Sequence, residues 1–154
     1  DGWLLVADIE EELGRLDQAI QATRRFLALS DEPALPVLNH LGHLLYDAGR
    51  YAQAAICLQK TSAEGHKAHR WVQYGISLLK VRVREDALRA LEQAIECDPT
   101  YDEAHLNLGL WVADENPEKA RQHLERALEL DPRCAANYGG LALAALREKE
   151  YEEA

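Results

Sequence analysis

The sequence predicts an all-α chain, a solenoid of antiparallel helix hairpins stacked about five times with the last copy incomplete. Three observations predict it. Small residues recur in two independent ladders, Ala7, Gly42, Gly75, Gly109 and Ala142, and Ala19, Ala54, Ala87, Ala120 and Ala154, both in steps of 33 to 35 residues. Within each period apolar residues recur three and four apart, as in Trp71, Tyr74 and Leu78 and then Ala87, Leu91, Ala94 and Ile95, the stripe of an amphipathic helix. Between the stripes lie Ala48-Gly49-Arg50, Val81-Arg82-Val83 and Asp114-Glu115-Asn116-Pro117, breaks of the kind a helical hairpin needs.

Taken in order, repeat one (about 1–33) carries Trp3, Val6, Ala7 and Ala19, and repeat two (35–67) carries Leu38, Leu41, Gly42, Gly49 and Ala54. Repeat three (68–101) carries Trp71, Tyr74, Gly75 and Ala87 and closes at Asp98-Pro99. Repeat four (102–134) carries His105, Leu108, Gly109 and Ala120, closes at Asp131-Pro132, and is one residue short around Asn116-Pro117. Repeat five (135–154) carries Tyr138, Leu141 and Ala142 and stops at Ala154, just inside a second helix. A third ladder, Phe26, Thr61, Ala94 and Ala127, follows the second by two helical turns. Gly or Ala facing Ala lets two helices approach to the near end of the roughly 8 to 10 Å packing range.

This order of residues, a large apolar position, Leu-Gly, an aromatic or Leu, a turn Gly, then Ala and Pro, resembles the tetratricopeptide repeat. The resemblance covers the whole chain and is carried best by Leu38 to Leu58, Trp71 to Pro99 and Leu108 to Pro132. It departs at Arg82, which takes the turn-glycine place of repeat three, and in repeat two, which lacks the Pro. The resemblance implies a right-handed solenoid whose first helices line a concave groove that holds the ligand. One hairpin cannot bury its apolar stripe alone, and terminal repeats ordinarily need a polar cap. None follows Ala154, so the chain is expected to be an excerpt of a longer protein or to be covered at that end by another molecule.

Composition narrows the function. The 154 residues are 47% apolar and 29% charged, with a net charge of -10 divided evenly between the halves on either side of His66. That sign is wrong for a grip on phosphates, so nucleic acid is not an expected partner. No apolar run approaches the roughly 20 residues of a membrane span, and a soluble, cytoplasmic protein is expected. Cys57, Cys97 and Cys134 are odd in number and form no CxxC pair, which argues against a disulfide framework or a zinc knuckle. No GxSxG elbow, phosphate-cradling glycine loop or Cys beside a base is present, so no enzyme activity and no cofactor are expected.

In the implied groove, the places two before the first ladder hold Leu5, His40, Gln73, Asn107 and Gly140, with Asn39 beside His40. Amide and imidazole groups in a row suit the N–H and C=O groups of an extended peptide; the alternative is a merely solvated helix face. Alongside run Val72, Ile76 and Leu79, then Leu106 and Leu110, then Leu143 and Leu146, either an apolar patch for a partner segment or residues buried against a neighbouring helix. Gly139-Gly140 is expected to leave the groove floor open to a close approach. His40, His43 and His69 are expected to gather across repeats two and three with Asp47 one turn after His43, either as a metal site or pH switch or as an ordinary polar rim; no fixed motif such as HExxH supports a metal, and none is expected. Lys80, Arg82 and Arg84, with Lys67, Arg70 and Arg89, are the basic concentration of the chain, either a solvated loop or a place for an acidic partner segment.

Chaperone-tail binders of this family clamp a terminal carboxylate with Lys and Asn on one repeat, Asn on the next, and Lys and Arg on the third. Across repeats two to four these places hold Asn39 and His43, Gln73, then Glu103 and Asn107. Across repeats three to five they hold Val72 and Ile76, Asn107, then Ala136 and Gly140. The clamp is absent, and binding to Hsp70 or Hsp90 tails is not expected. The expected function is a protein-interaction scaffold. Two alternatives stand beside it: the substrate-recruiting or regulatory segment of a larger enzyme such as a glycosyltransferase, and self-assembly into a homo-oligomer through the repeat-five end.

Overall fold

Each apolar stripe of the sequence becomes a helix and each break a short turn. The computed structural model describes residues 2–30, 34–63 and 67–153, with backbone alone at residues 151 and 152. Among them the helices are α1 (Gly2–Glu12), α2 (Leu16–Leu29), α3 (Leu35–Asp47), α4 (Tyr51–Ser62), α5 (Ala68–Lys80), α6 (Arg84–Cys97), α7 (Asp102–Val112), α8 (Pro117–Leu130) and α9 (Ala135–Glu152), and there is no strand. Each odd-numbered helix up to α7 pairs with the next as a hairpin, and each even one packs on the odd helix that follows. Helices α5, α7 and α9 also touch side by side, and no even-numbered pair packs to a comparable degree. The odd-numbered layer is therefore the tighter one, the inner side of the stack.

One apolar cluster runs from Ala19 to Ala144, with Ile20, Leu44, Leu58, Leu91, Leu108 and Leu124 fully buried. The small ladders lie where the helices of a hairpin meet. Ala19, Ala54, Ala87 and Ala120 are all buried. A methyl group on Gly75 would come within 3.2 Å of the Ala87 carbonyl oxygen, and one on Gly109 within 3.0 Å of that of Ala120. Any larger side chain would separate the helices, which is why the ladder persists.

The three-residue turns share one geometry. Gly14 (φ 70) and Gly49 (φ 71) are left-handed, as is Arg82 (φ 66). In each turn the following N–H bonds five residues back: Arg15 to Glu10 O (2.7 Å), Arg50 to Leu45 O (2.8 Å) and Val83 to Leu78 O (2.9 Å). Arg82 thus accepts a conformation that costs an L-residue with a side chain about 1 to 2 kcal/mol and glycine nothing. Repeat four differs: its one-residue deficit shortens α7, and the turn before α8 is closed by Asn116, whose side chain accepts from the Lys119 N–H at 2.9 Å, with Pro117 as the first helical residue.

Repeat five does not turn where the sequence pattern places its second helix. α9 runs unbroken from Ala135 to Glu152, and Arg147 and Lys149 pair with Glu150 (2.7 Å) and Glu153 (3.6 Å) along the one helix. Ala154 and the repeat boundary near residue 33 lie outside the described residues. Ala142, whose counterparts Gly42, Gly75 and Gly109 face a second helix, is exposed on α9. Among the described residues no helix is long and apolar enough to cross a membrane. The three cysteines carry free thiols, and burial pushes that of Cys57 up from its ordinary value.

Candidate peptide-binding groove

The inner layer places the predicted groove residues in two groups. Asn39, His40, His43, Gln73, Ile76, Asn107 and Leu110 are half-buried and His69 is exposed, along the faces of α3, α5 and α7. Val72, Leu79 and Leu106 are buried in the core. These three are covered by the protein's own core, and Leu106 lies against Gly140 of the next repeat. Ile76 and Leu110 lean on the same core with one side remaining open.

The polar row is unevenly engaged. Asn39 Oδ1 accepts from Thr61 Oγ1 at 3.3 Å, tying it to α4, and Asn107 Nδ2 donates to the Glu103 carbonyl of its own helix at 2.8 Å. Gln73 Oε1 is buried without a hydrogen-bond partner. His40 Nε2 lies 3.4 Å from a Glu11 carboxylate oxygen, an approach that is an ion pair when the ring is protonated. His43 and His69 stack across repeats two and three, with ring centroids 6.3 Å apart and planes 23° from parallel. Burial pushes both below the ordinary imidazole range; each is lowered further by neighbouring cationic groups and raised by a carboxylate, Asp47 for His43 and Glu103 for His69. At neutral pH both rings are therefore uncharged, each with one donor and one acceptor. Among the described residues no three His, Cys, Asp or Glu side chains are arranged to hold a metal ion.

At the fifth repeat the floor is closed where it was expected open. A methyl on Gly140 would lie 2.6 Å from Leu124 and 3.4 Å from Leu106 and Leu110, so this glycine lets α9 settle onto repeat four. Gly139 has nothing within 4 Å of that position and remains open. Leu143 and Leu146 keep 37% and 61% of their surface, whereas their counterparts in repeat four are half-buried Leu110 and buried Ala113.

Two features escaped the sequence reading. His105 and His123 face each other across α7 and α8, Nδ1 to Nδ1 at 3.1 Å, while His105 Nε2 lies 3.1 Å from the Pro99 carbonyl. That carbonyl only accepts, so His105 carries its proton on Nε2 and takes the Nδ1–H of His123. The signal was present: His105 is the single polar member of the large-residue ladder, and His123 stands where Cys57 and Ala90 stand in repeats two and three. The second is Asn137, fully buried, whose amide donates to Ala127 O and Asp131 O, both at 3.0 Å, and so closes the corner between α8 and α9.

A profile of the tetratricopeptide-repeat family matches residues 112–154. The UDP-N-acetylglucosamine–peptide N-acetylglucosaminyltransferase of Giardia intestinalis is 31% identical over 138 residues, a match that takes in 86% of this chain and 9% of that protein's length. The chain thus spans about a tenth of the curated relative that it matches. Among solved structures, the MamA protein superposes with a TM-score of 0.86 at 24% identity, over 98% of this chain and 83% of that one. The second repeat domain of human RPAP3, solved in complex with an HSP70 peptide, superposes with a TM-score of 0.65 at 24% identity, over 70% of this chain and 92% of that one.

Proposed function

The chain is a tetratricopeptide-repeat protein, and we propose that it holds an extended peptide or protein segment against α3, α5 and α7 as a scaffold without chemistry of its own. The observation that carries this reading is the row of half-buried polar side chains on the inner layer, His40, His43, Gln73 and Asn107, which has donor and acceptor capacity for the N–H and C=O groups of a peptide backbone. Ile76 and Leu110 give an apolar shoulder beside it, and the neutral His43 and His69 rings a polar one. The repeat domain of RPAP3 taken with an HSP70 peptide supports peptide capture as a use of this fold. The ligand here is not a chaperone tail in this reading, because exposed Glu103 stands where a terminal carboxylate would need a cation. Gln73→Glu with Asn107→Glu should abolish recovery of the native partner while the far-ultraviolet circular dichroism stays unchanged; undiminished recovery would refute the groove assignment.

The likeness to the Giardia transferase favours a second reading, in which this segment recruits the polypeptide substrate of a larger enzyme. A transferase domain in the same polypeptide, and loss of its activity on protein but not on short peptide substrates after the same two substitutions, would decide for it. The exposed Leu143 and Leu146 support self-association as a further proposal, which sedimentation at several concentrations tests.

A further inference from the structure

We propose that the edge of the solenoid between repeats three and four is a second binding site, a cleft that takes an acidic peptide segment carrying an aliphatic side chain beside its carboxylates. The cleft, of about 520 Å³, is lined by Leu79, Lys80, Arg82, Arg84 and Trp111. It lies at the turn end of the hairpins, away from the polar row of the inner layer.

Three independent observations converge there. The first is backbone conformation: the equivalent turns use Gly14 and Gly49, and this one holds an arginine at φ 66 with the same hydrogen bonds. A left-handed residue with a side chain is retained where the side chain does something that glycine does not. The second is charge. In a chain of net charge -10, no carboxylate among the described residues pairs with Lys80 or Arg82. The ammonium of Lys80 stands 6.0 Å over the Tyr51 ring instead. Glu115 is already engaged with the lining Arg84 at 3.2 Å and Asp114 with Arg147 at 2.8 Å, which leaves Lys80 and Arg82 as the cleft's cations without a carboxylate.

The third is the apolar wall. Trp111 keeps 38% of its surface, and the Arg84 guanidinium donates to its backbone carbonyl, which anchors the end of α7 against the cationic turn. Two cations beside an indole and the edge of Leu79 match a carboxylate followed by an aliphatic group: charge-assisted hydrogen bonds fix the first, and burial against Trp111 rewards the second. A phosphorylated segment would use the same cations but gain nothing from the indole.

The test uses the whole 154-residue chain, titrated at low salt with acetyl-Glu-Leu-Asp-Glu-Leu-amide, with its Gln/Asn counterpart, and with acetyl-Gly-Gly-phosphoserine-Gly-Gly-amide. Calorimetry gives affinities, and amide and indole chemical shifts give the place. The acidic peptide should bind and move the resonances of Arg82 and the Trp111 indole, and the amide counterpart should not bind. Arg82→Gly is the decisive variant. It should raise the midpoint of thermal unfolding by relieving the turn while weakening the acidic peptide about fivefold or more, and Arg82→Lys should hold affinity within about twofold. The proposal falls if the acidic peptide fails to bind at millimolar concentration or if the amide peptide binds equally. It falls also if the phosphopeptide binds more tightly, or if Arg82→Gly stabilises the chain and leaves affinity unchanged.

Discussion

Repeats three and four meet one packing demand with opposite side chains. In both, a glycine of the first helix lies under a leucine of the second and against the backbone of the small residue one turn earlier, Gly75 with Leu91 and Ala87, Gly109 with Leu124 and Ala120. Beside that contact repeat three sets large Trp71 against small Ala90, which line one cleft, whereas repeat four sets two rings of middle size, His105 and His123, joined by a hydrogen bond. Each joint thus balances its two positions differently, large with small in repeat three and ring with ring in repeat four, and only the second joins them by a hydrogen bond.

The largest effect should come from breaking that balance. His105→Trp alone keeps His123 opposite and adds an indole, so it should cost about 2 to 3 kcal/mol through overpacking and the lost bonds to His123 and Pro99. His105→Trp with His123→Ala grafts the arrangement of repeat three onto repeat four and should recover at least half of that loss. Urea midpoints of the two variants measure the coupling, and simple additivity would contradict the paired reading.

A smaller difference separates the glycines. A methyl on Gly109 meets Leu124 Cγ at 2.6 Å and a backbone oxygen at 3.0 Å, whereas one on Gly75 meets Leu91 Cγ at 3.1 Å and a backbone oxygen at 3.2 Å. Each alanine gains about 1 kcal/mol of helix propensity. Gly109→Ala should therefore destabilise by about 1 to 2 kcal/mol net, and Gly75→Ala by less than about 1 kcal/mol. Equal losses in chemical denaturation would mean that repeat four is as roomy as repeat three.

The smallest effect is the pH response. Burial, then His105 and Lys119, hold His123 below the ordinary imidazole range, against the opposing pull of Glu92. The folded chain therefore resists a proton that the unfolded chain takes up near pH 6.5. The stability from this group is complete above that pH and is lost as pH falls from there toward the lowered folded value. His43 and His69 are lowered too and add in the same direction. The double variant at His105 and His123 should flatten part of the slope of stability between about pH 7 and 5, and an unchanged slope would place the whole response at His43 and His69.

The hairpins were legible because their signal is local and repeated. The ladders through Gly42, Gly75 and Gly109 and through Ala54, Ala87 and Ala120 mark the close contacts, and Gly49 and Arg82 fall on the left-handed turn residues. Repeat five was misread. The ladder spacing places a second helix there, whereas α9 continues unbroken to Glu152. For the candidate groove the helical register put Asn39, His40, His43, Gln73 and Asn107 on the half-buried faces of the inner layer and His43 beside His69, whereas the burial of Val72, Leu79 and Leu106 and the contact of Gly140 with repeat four were not legible.

By itself the amino-acid order determined the period, the two-helix unit and the residues too small to be replaced, because helical spacing and steric size act within one repeat. Which of the remaining apolar side chains meet a ligand and which meet the next repeat was decided only by tertiary structure. A helix in the inner layer has neighbours on both sides, and spacing of three and four marks each of its faces alike. The same holds for the pairing of His105 with His123 and for the cleft that brings Trp111 to Arg82, since both join residues from different helices whose approach no local pattern encodes.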